Sequence, residues 1–264
     1  MVNNIILNNS INNVKLGDNQ IFKIFKGTDL VWSTSIPIAP SLYTGLIANY
    51  KLDEAATPTP VAGRTVIDET GNHNGIINGT PTLGVAANLG TGINFNNDVA
   101  NFIDLGTRNL IGGKAAFTIA AWNKVNNTNT DGNLYGAWTP GTRICSFSNN
   151  NFAGRYLNYI YIAGAQKGGA FSFTAEQWGD PVANYQLMIS TYDGSTFRTF
   201  VNDYEAAESY PMTGSVQVGT GENEGIGRGF NYSNRLVSSL QIWDRALNAD
   251  ERTNMYNGGM GIIL

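Results

Sequence analysis

Histidine occurs once in the 264 residues, at His73, so any Ser-His-Asp acyl-transfer set would have to be built on it. It stands inside Gly71-Asn-His-Asn-Gly75, a run of turn formers with no nucleophile elbow nearby, and it reads as a solvated turn residue. A lone histidine also excludes a His-Glu-x-x-His zinc site. The lone cysteine, Cys145, excludes an intrachain disulfide and a cysteine-based zinc cluster, and within Arg143 to Phe147 it reads as a small buried hydrophobe.

Carboxylates offer a second chemistry. A retaining glycosidase needs two of them on one strand face, about 5 Å apart. None of Glu54, Glu69, Glu176, Glu205, Glu208, Glu222, Glu224 and Glu251 is followed two residues later by an aspartate. Glu222 and Glu224 have a two-residue spacing but stand among glycines and read as a turn, so the chain is expected not to be an enzyme. Calcium would find oxygen donors at Asp68, Asn72, Asn96, Asn97 and Asp98, yet no Asp-x-Asp-x-Asp-Gly loop is present, and Asx-turns account for these residues more simply. No cofactor is expected, calcium being the one ion the composition leaves open. Gly225, Gly227 and Gly229 alternate as in a phosphate loop but lack the following Lys-Ser/Thr and helix. They read instead as a strand with one bare face, against which a ring or another backbone can pack.

A third chemistry is sugar recognition, which needs aromatic faces for the C-H side of a pyranose and polar groups for its hydroxyls. Tyr135, Trp138, Trp178, Phe230 and Tyr232 lie between strands or in Gly-rich segments, where binding residues concentrate, and are the candidate carbohydrate-binding residues.

The elements that would carry these residues are strands. Charged residues make up 14% of the chain, glycines number 31, and Asn recurs between apolar runs. Strands are expected at Leu46 to Leu52, Gly75 to Asn78, Phe102 to Leu105, Phe117 to Val125, Arg143 to Phe147, Tyr156 to Ile162, Tyr185 to Tyr192, Phe197 to Asn202, Ser215 to Val218 and Leu236 to Trp243. In the seventh, Tyr185, Leu187 and Ile189 fall on one face and Gln186, Met188 and Ser190 on the other, the period of a sheet with at least one packed face. With no helices available for parallel crossovers, the fold class is all-β, an antiparallel sandwich. One helix is expected after Asn248, boxed by Glu251 and stopped at Gly258-Gly259.

The first 34 residues form a separate piece. Gln20 to Lys26 and Leu30-Val-Trp32 flank a Gly27 turn, which predicts a hairpin too small to be stable alone. Ser35-Ile-Pro-Ile-Ala-Pro-Ser41 then reads as an extended linker, placed at residues 35–44, with the large domain at 45–264. The net charge of -4, without a Lys/Arg cluster, argues against a nucleic-acid partner. No apolar run reaches membrane-spanning length, and Met1 to Asn13 lacks the basic and apolar regions of a signal peptide.

The order of several segments resembles LamG-like, concanavalin A-like jelly rolls over about Gly45 to Gly259. Those segments are Gly45-Leu-Ile-Ala-Asn-Tyr-Lys-Leu-Asp53, Asp68-Glu-Thr-Gly-Asn-His-Asn-Gly75, Phe102-Ile-Asp-Leu-Gly106 and Phe117-Thr-Ile-Ala-Ala-Trp122. Tyr192-Asp-Gly194 with Phe200-Val-Asn202 follows, and Leu240-Gln-Ile-Trp-Asp-Arg-Ala-Leu247 with Asp250-Glu251 closes the set. Phe22-Lys-Ile-Phe-Lys-Gly-Thr-Asp-Leu-Val-Trp32 is similar to short hairpins of bacteriophage tail and other virion proteins. That resemblance implies attachment through Phe22, Ile24, Phe25, Leu30 and Trp32. A recognition fold without export signal or disulfides fits a phage particle, which is released by lysis. The expected protein is therefore a virion component at the particle surface, a fibre, tail or capsid-decoration protein. Its partners would be other virion proteins, a host-surface glycan and further copies of itself. A non-viral carbohydrate-binding module and a glycoside hydrolase of the same fold class are the alternatives.

Overall fold

The computed structural model describes residues 14–16, 19–21, 23–26, 29–33, 38–56, 60–96, 100–107, 109–126, 132–139, 142–150, 155–219, 223–228 and 233–264, with backbone alone for 14–33, 137–139 and 142–150. The chain divides into two units, Met1–Ala39 and Pro40–Leu264. In the first, β1 (Val14–Leu16) pairs with β2 (Asn19–Ile21), and β3 (Lys23–Lys26) pairs with β4 (Asp29–Ser33). Ile24 stands opposite Trp32 and Phe25 opposite Leu30 across a register shift, so the expected hairpin is present. Phe22 lies outside the described residues.

The second unit begins before residue 45. A 3-10 turn, Pro40–Tyr43, buries Leu42 completely, and the Trp243 indole N-H donates to the Leu42 carbonyl at 2.7 Å. Residues 40–44, expected as linker, thus belong to the domain, because a backbone carbonyl there satisfies a buried tryptophan.

Strands of this unit follow in order: β5 (Leu46–Tyr50), β6 (Thr65–Val66), β7 (Gly75–Asn78), β8 (Thr82–Ala87), β9 (Gly90–Asn94), β10 (Phe102–Gly106) and β11 (Phe117–Val125). Next come β12 (Gly132–Thr139), β13 (Thr142–Asn150), β14 (Arg155–Ile162), β15 (Ala165–Ser172), β16 (Gln186–Tyr192), β17 (Thr196–Val201) and β18 (Tyr204–Glu205). The last are β19 (Tyr210–Pro211), β20 (Glu224–Ile226) and β21 (Arg235–Trp243). Two helices join them, α1 (Ala175–Trp178) and α2 (Ala249–Tyr256). All pairings are antiparallel and fall into two large sheets. One is eight-stranded, in the order β15-β14-β13-β12-β20-β10-β7-β6. The other is nine-stranded, running β18-β17-β16-β11-β21-β9-β8 with β19 on β17 and β5 on β21. This is the expected antiparallel sandwich. Where a strand was expected at Ser215 to Val218, only an isolated bridge from Val216 to Ile162 forms.

Between the sheets lies a core of Tyr50, Phe95, Ile103, Phe117, Tyr135, Tyr156, Phe171, Phe197, Leu240 and Ile242, among others. It also encloses polar groups. The Asn158 amide donates to Ser190 Oγ at 3.0 Å and to Thr199 Oγ1 at 2.8 Å, linking β14 to β16 and β17. The Tyr156 hydroxyl donates to Gln186 Oε1 at 2.9 Å, and burial pushes its pKa up to about 12. The polar face of β16 is therefore the face turned inward. Its apolar set, Leu187 and Ile189, lies on the other side beside Trp122 and Phe200, their cross-strand partners. There α2 covers them, with Tyr256 stacked on Trp122 at 6.2 Å and the Arg252 guanidinium 3.9 Å from the Phe200 ring. Both faces of β16 are consequently buried. Among the described residues no helix is long and apolar enough to cross a membrane.

Candidate functional site

Of the expected aromatic platforms, the two whose side chains are described, Tyr135 and Trp178, lie in the core. Tyr135 is 1% exposed on the inward face of β12, because its neighbours in register, Ile226 and the row beyond, point into the core. Trp178 is 9% exposed. Thr174 caps α1, its hydroxyl accepting from the Gln177 N-H while the Gln177 side chain accepts from the Thr174 N-H. That single turn swings Trp178 onto Tyr156 at 4.7 Å and Phe173 at 6.1 Å, and the Gln186 amide donates to its carbonyl. Both are core residues rather than sugar platforms. Trp138 pairs in register with Arg143 at the end of β12, its side chain outside the described set, as are Phe230 and Tyr232.

What the fold brings together instead is a row of cross-strand partners on the outer face of the eight-stranded sheet. In order they are Thr65, Ile76, Asp104, Gly225, Gly136, Ser146, Tyr159 and Gly168. Their sequence neighbours Ile77, Ile103, Ile226, Tyr135 and Ile160 point into the core, which fixes the row outward. Gly225 and Gly136 bring no side chain to it. Arg228 folds over Gly225, where an added Cβ would stand 3.3 Å from the Arg228 Cβ and 3.0 Å from the Ile103 carbonyl oxygen. The guanidinium rests 4.5 Å from the Phe102 ring. Asp104 lies on the same face, receiving the Gly106 N-H at 2.8 Å and the Asn223 amide at 3.3 Å.

Farther along the row the face is aromatic. Tyr159 and Tyr161 alternate outward along β14, both half-buried, and the Tyr161 hydroxyl donates to Gln166 Oε1 at 3.0 Å. Tyr210, by contrast, packs against the core on Phe171 at 5.1 Å with its hydroxyl on the Ala170 carbonyl at 2.8 Å, its pKa raised by burial and by Glu208 and Tyr159. Glu208 in turn stays below the usual carboxylate range; burial opposes its charge, but the Ser172 N-H at 2.5 Å outweighs that. At about 4.8 Å per strand, the row from Gly225 to Tyr159 spans about 14 Å. This sheet face thus carries tyrosine rings in one part and a guanidinium, a carboxylate and an amide in another.

The other chemistries read from the sequence find different places. Asp68 is 1% exposed and accepts from the Asn49 N-H, the Thr70 N-H and hydroxyl, and the His73 N-H. Although burial opposes its charge, those bonds hold its carboxyl below the ordinary range, so it serves as the hub of a turn. Asn72 and Asn96 bond locally to Thr70 and Thr82, while Asn97 and Asp98 lie outside the described residues. Among the described residues no group of three His, Cys, Asp or Glu side chains is placed to hold a metal ion. His73 is half-buried rather than solvated, with its carbonyl accepting from the Tyr50 hydroxyl at 2.6 Å. Glu224, expected in a turn, opens β20 and is 1% exposed, its carboxylate receiving the Leu110 N-H at 2.9 and 3.1 Å. Glu222 is not described. The glycine alternation does leave room for a ring, since an added Cβ on Gly227 would lie 2.7 Å from Phe95.

Two antiparallel sheets packed around one core define the class as a β-sandwich. Residues 97–251 match the family model of the concanavalin A-like lectin/glucanases superfamily, more than half of the chain, and the protein belongs to that superfamily. Among solved structures it is similar to the binding domain of Paraclostridial Mosquitocidal Protein 1, with TM-score 0.62 and 15% identity over 82% of this chain and 52% of that one. It is also similar to Domain 4 of AbnA, a GH43 extracellular arabinanase from Geobacillus stearothermophilus solved in complex with arabinotriose, with TM-score 0.58 and 17% identity over 79% and 97%. A Trypanosoma rangeli sialidase matches with TM-score 0.57 and 13% identity over 86% of this chain and 36% of that one. This chain thus spans about half of the first of these structures and about a third of the sialidase, and the likeness shows the fold. No curated protein sequence matches the chain.

Proposed function

We propose that the sandwich is a non-catalytic carbohydrate-binding domain whose site is the sheet face from Tyr159/Tyr161 to Arg228/Asp104. The observation that carries this reading is the placing of alternate tyrosine rings and a polar group around Arg228 on one sheet face, with Gly225 and Gly136 between them, the two surfaces a saccharide chain needs. Hydroxyls would be taken by Arg228, Asp104, Asn223 and Gln166. A fluorescently tagged full-length chain on a glycan array should give a defined set of hits. Tyr159→Ala and Tyr161→Ala should each weaken the best hit at least tenfold with small changes in Tm, since both rings are half-buried. Unchanged binding by both variants would reject this site.

The finer reading is that this domain is displayed on a bacteriophage particle for host-surface glycans, as a fibre, tail or capsid-decoration component, with Met1–Ala39 attaching it to other virion proteins. It is supported by the resemblance of the β3–β4 hairpin to virion hairpins and by the division of the chain after Ala39. Deleting residues 1–39 should abolish copurification with particles while the rest keeps its unfolding transition; copurification of the truncated chain would end the attachment role. A second reading, a non-viral carbohydrate-binding module, is favoured by the 97% coverage of the AbnA domain solved with arabinotriose. Arabino-oligosaccharides on the same array, with no particle association, would select it.

A further inference from the structure

A second recess lies on the other side of the sandwich. On β21, Leu240 and Ile242 point into the core, so Ser239 and Gln241 point out of the nine-stranded sheet. They form the floor of a cavity of about 200 Å³, walled by Lys51, Asp53, Leu89 and Ile263. Ser239 is 4% and Gln241 2% exposed, yet the Ser239 hydroxyl and Gln241 Oε1 have no hydrogen-bond partner among the described residues. Buried polar atoms are almost always paired, and an unpaired one costs about 1–3 kcal/mol. Two such atoms converging on one cavity mark a place where something else supplies the partners.

The surroundings hold these two groups in place. Gln241 donates its amide to Asn49 Oδ1 at 3.2 Å, and Asn49 donates to the Leu264 carbonyl at 3.0 Å, so the free Oε1 is the end left toward the cavity. Ser238, beside it, is committed to Asn88 Oδ1 at 2.8 Å. The rim carries both signs, with Lys51 engaged by Glu69 at 3.4 Å and Asp53 exposed, while the floor is neutral. Leu89 and Ile263 add an apolar wall. An ionic ligand would meet balanced charge and an uncharged floor, and a purely apolar one would leave the two orphan atoms unpaired.

We propose that this cavity binds a small neutral vicinal polyol, one sugar ring or a linear polyol, whose hydroxyls donate to Gln241 Oε1 and pair with the Ser239 hydroxyl. Its C-H edge lies on Leu89 and Ile263. The site is independent of the tyrosine face, which belongs to the opposite sheet, and makes the domain a two-site binder.

The test uses the full-length chain labelled with nitrogen-15, titrated with glycerol and with the methyl glycosides of glucose, galactose and mannose to about 50 mM, a range that reads weak binding. At least one probe should saturate and shift the Gln241 side-chain amide and the Ser239 N-H. Saturation by a glycoside with no response to glycerol identifies a ring, and the reverse a linear polyol. Ser239→Val, which fills the cavity and removes an orphan hydroxyl, should keep or raise Tm and weaken that probe at least tenfold. Tyr159→Ala should leave it unchanged, so failure of the tyrosine face would not be mistaken for failure here. No saturating probe, or binding that survives Ser239→Val, overturns the proposal.

Discussion

Glu251→Gln is expected to lower stability at neutral pH by about 3 kcal/mol and to remove that part of the protein's loss of stability between pH 4.5 and 2, leaving the part due to Asp68, Asp193 and Glu208. Glu251 is 3% exposed and accepts two bonds from the Arg245 guanidinium, at 2.8 and 2.7 Å, and one from the Asn248 N-H at 2.9 Å. The Arg245 fork, acting against burial and helped by Asn248, lowers its pKa from 4.5 to about 2. Because the folded-state value lies below the unfolded one, the stabilisation is complete above about pH 4.5 and fades as pH falls through 2. A shift of that size corresponds to about 3 kcal/mol at 1.36 kcal/mol per unit. Arg245 also donates to the Thr44 carbonyl at 2.7 Å and the Ser41 carbonyl at 2.6 Å, so one carboxylate ties the entry of the domain to the start of α2. Urea titrations of both proteins from pH 7 to 2 provide the check. The stability gap should shrink steadily below pH 4.5, and a gap that stays constant would mean that the ion pair is not the source.

That carboxylate belongs to a stretch the sequence made readable, since Asp244-Arg245-Ala-Leu247 followed by Asp250-Glu251 is both the family-like ending and a capping box. Strands were equally legible where β-branched and aromatic residues run together, as in Gly75–Asn78 and Phe117–Val125. They were hidden in Thr82–Ala87, Gly90–Asn94 and Ala165–Ser172, where glycine and alanine carry little strand preference and the partner strands impose the conformation. The site was the least legible part. Arg155-Tyr-Leu-Asn-Tyr-Ile-Tyr-Ile162 puts tyrosines on both faces of one strand, so alternation by itself does not say which face is buried. Asn158 decides it, and its partners Ser190 and Thr199 lie 32 and 41 residues away on the other sheet. Trp178 carried a signal that reading by loop composition passed over, the Thr174-x-x-Gln177 box that turns it inward.

The glycines were readable for their space but not for what fills it, and Gly227 is where that difference has its largest consequence. Gly227→Ala is expected to cost about 3 kcal/mol or more. Its φ is +78°, a region L-residues reach only at a cost of about 1–2 kcal/mol, and an added Cβ would meet Phe95 at 2.7 Å from Cδ1 and 2.8 Å from Cε1. Backbone adjustment is opposed on both sides, since the Gly227 N-H donates to the Leu134 carbonyl at 2.9 Å and its carbonyl accepts from the Ser233 N-H at 3.1 Å. Phe95 is fully buried and has no exit. A double-mutant cycle separates the two contributions. Phe95→Ala removes the overlap without touching the backbone strain, so the pair of substitutions should cost at least 1 kcal/mol less than the sum of the singles, as measured by urea unfolding. Additivity within about 0.5 kcal/mol would show that the ring does not bear on Gly227. The same substitution reaches the proposed saccharide site, because the next residue is Arg228, whose side chain crosses Gly225 to rest on Phe102. Gly227→Ala should therefore also weaken glycan capture by the folded fraction, whereas Glu251→Gln, on the far side of the sandwich, should leave it unchanged at pH 7.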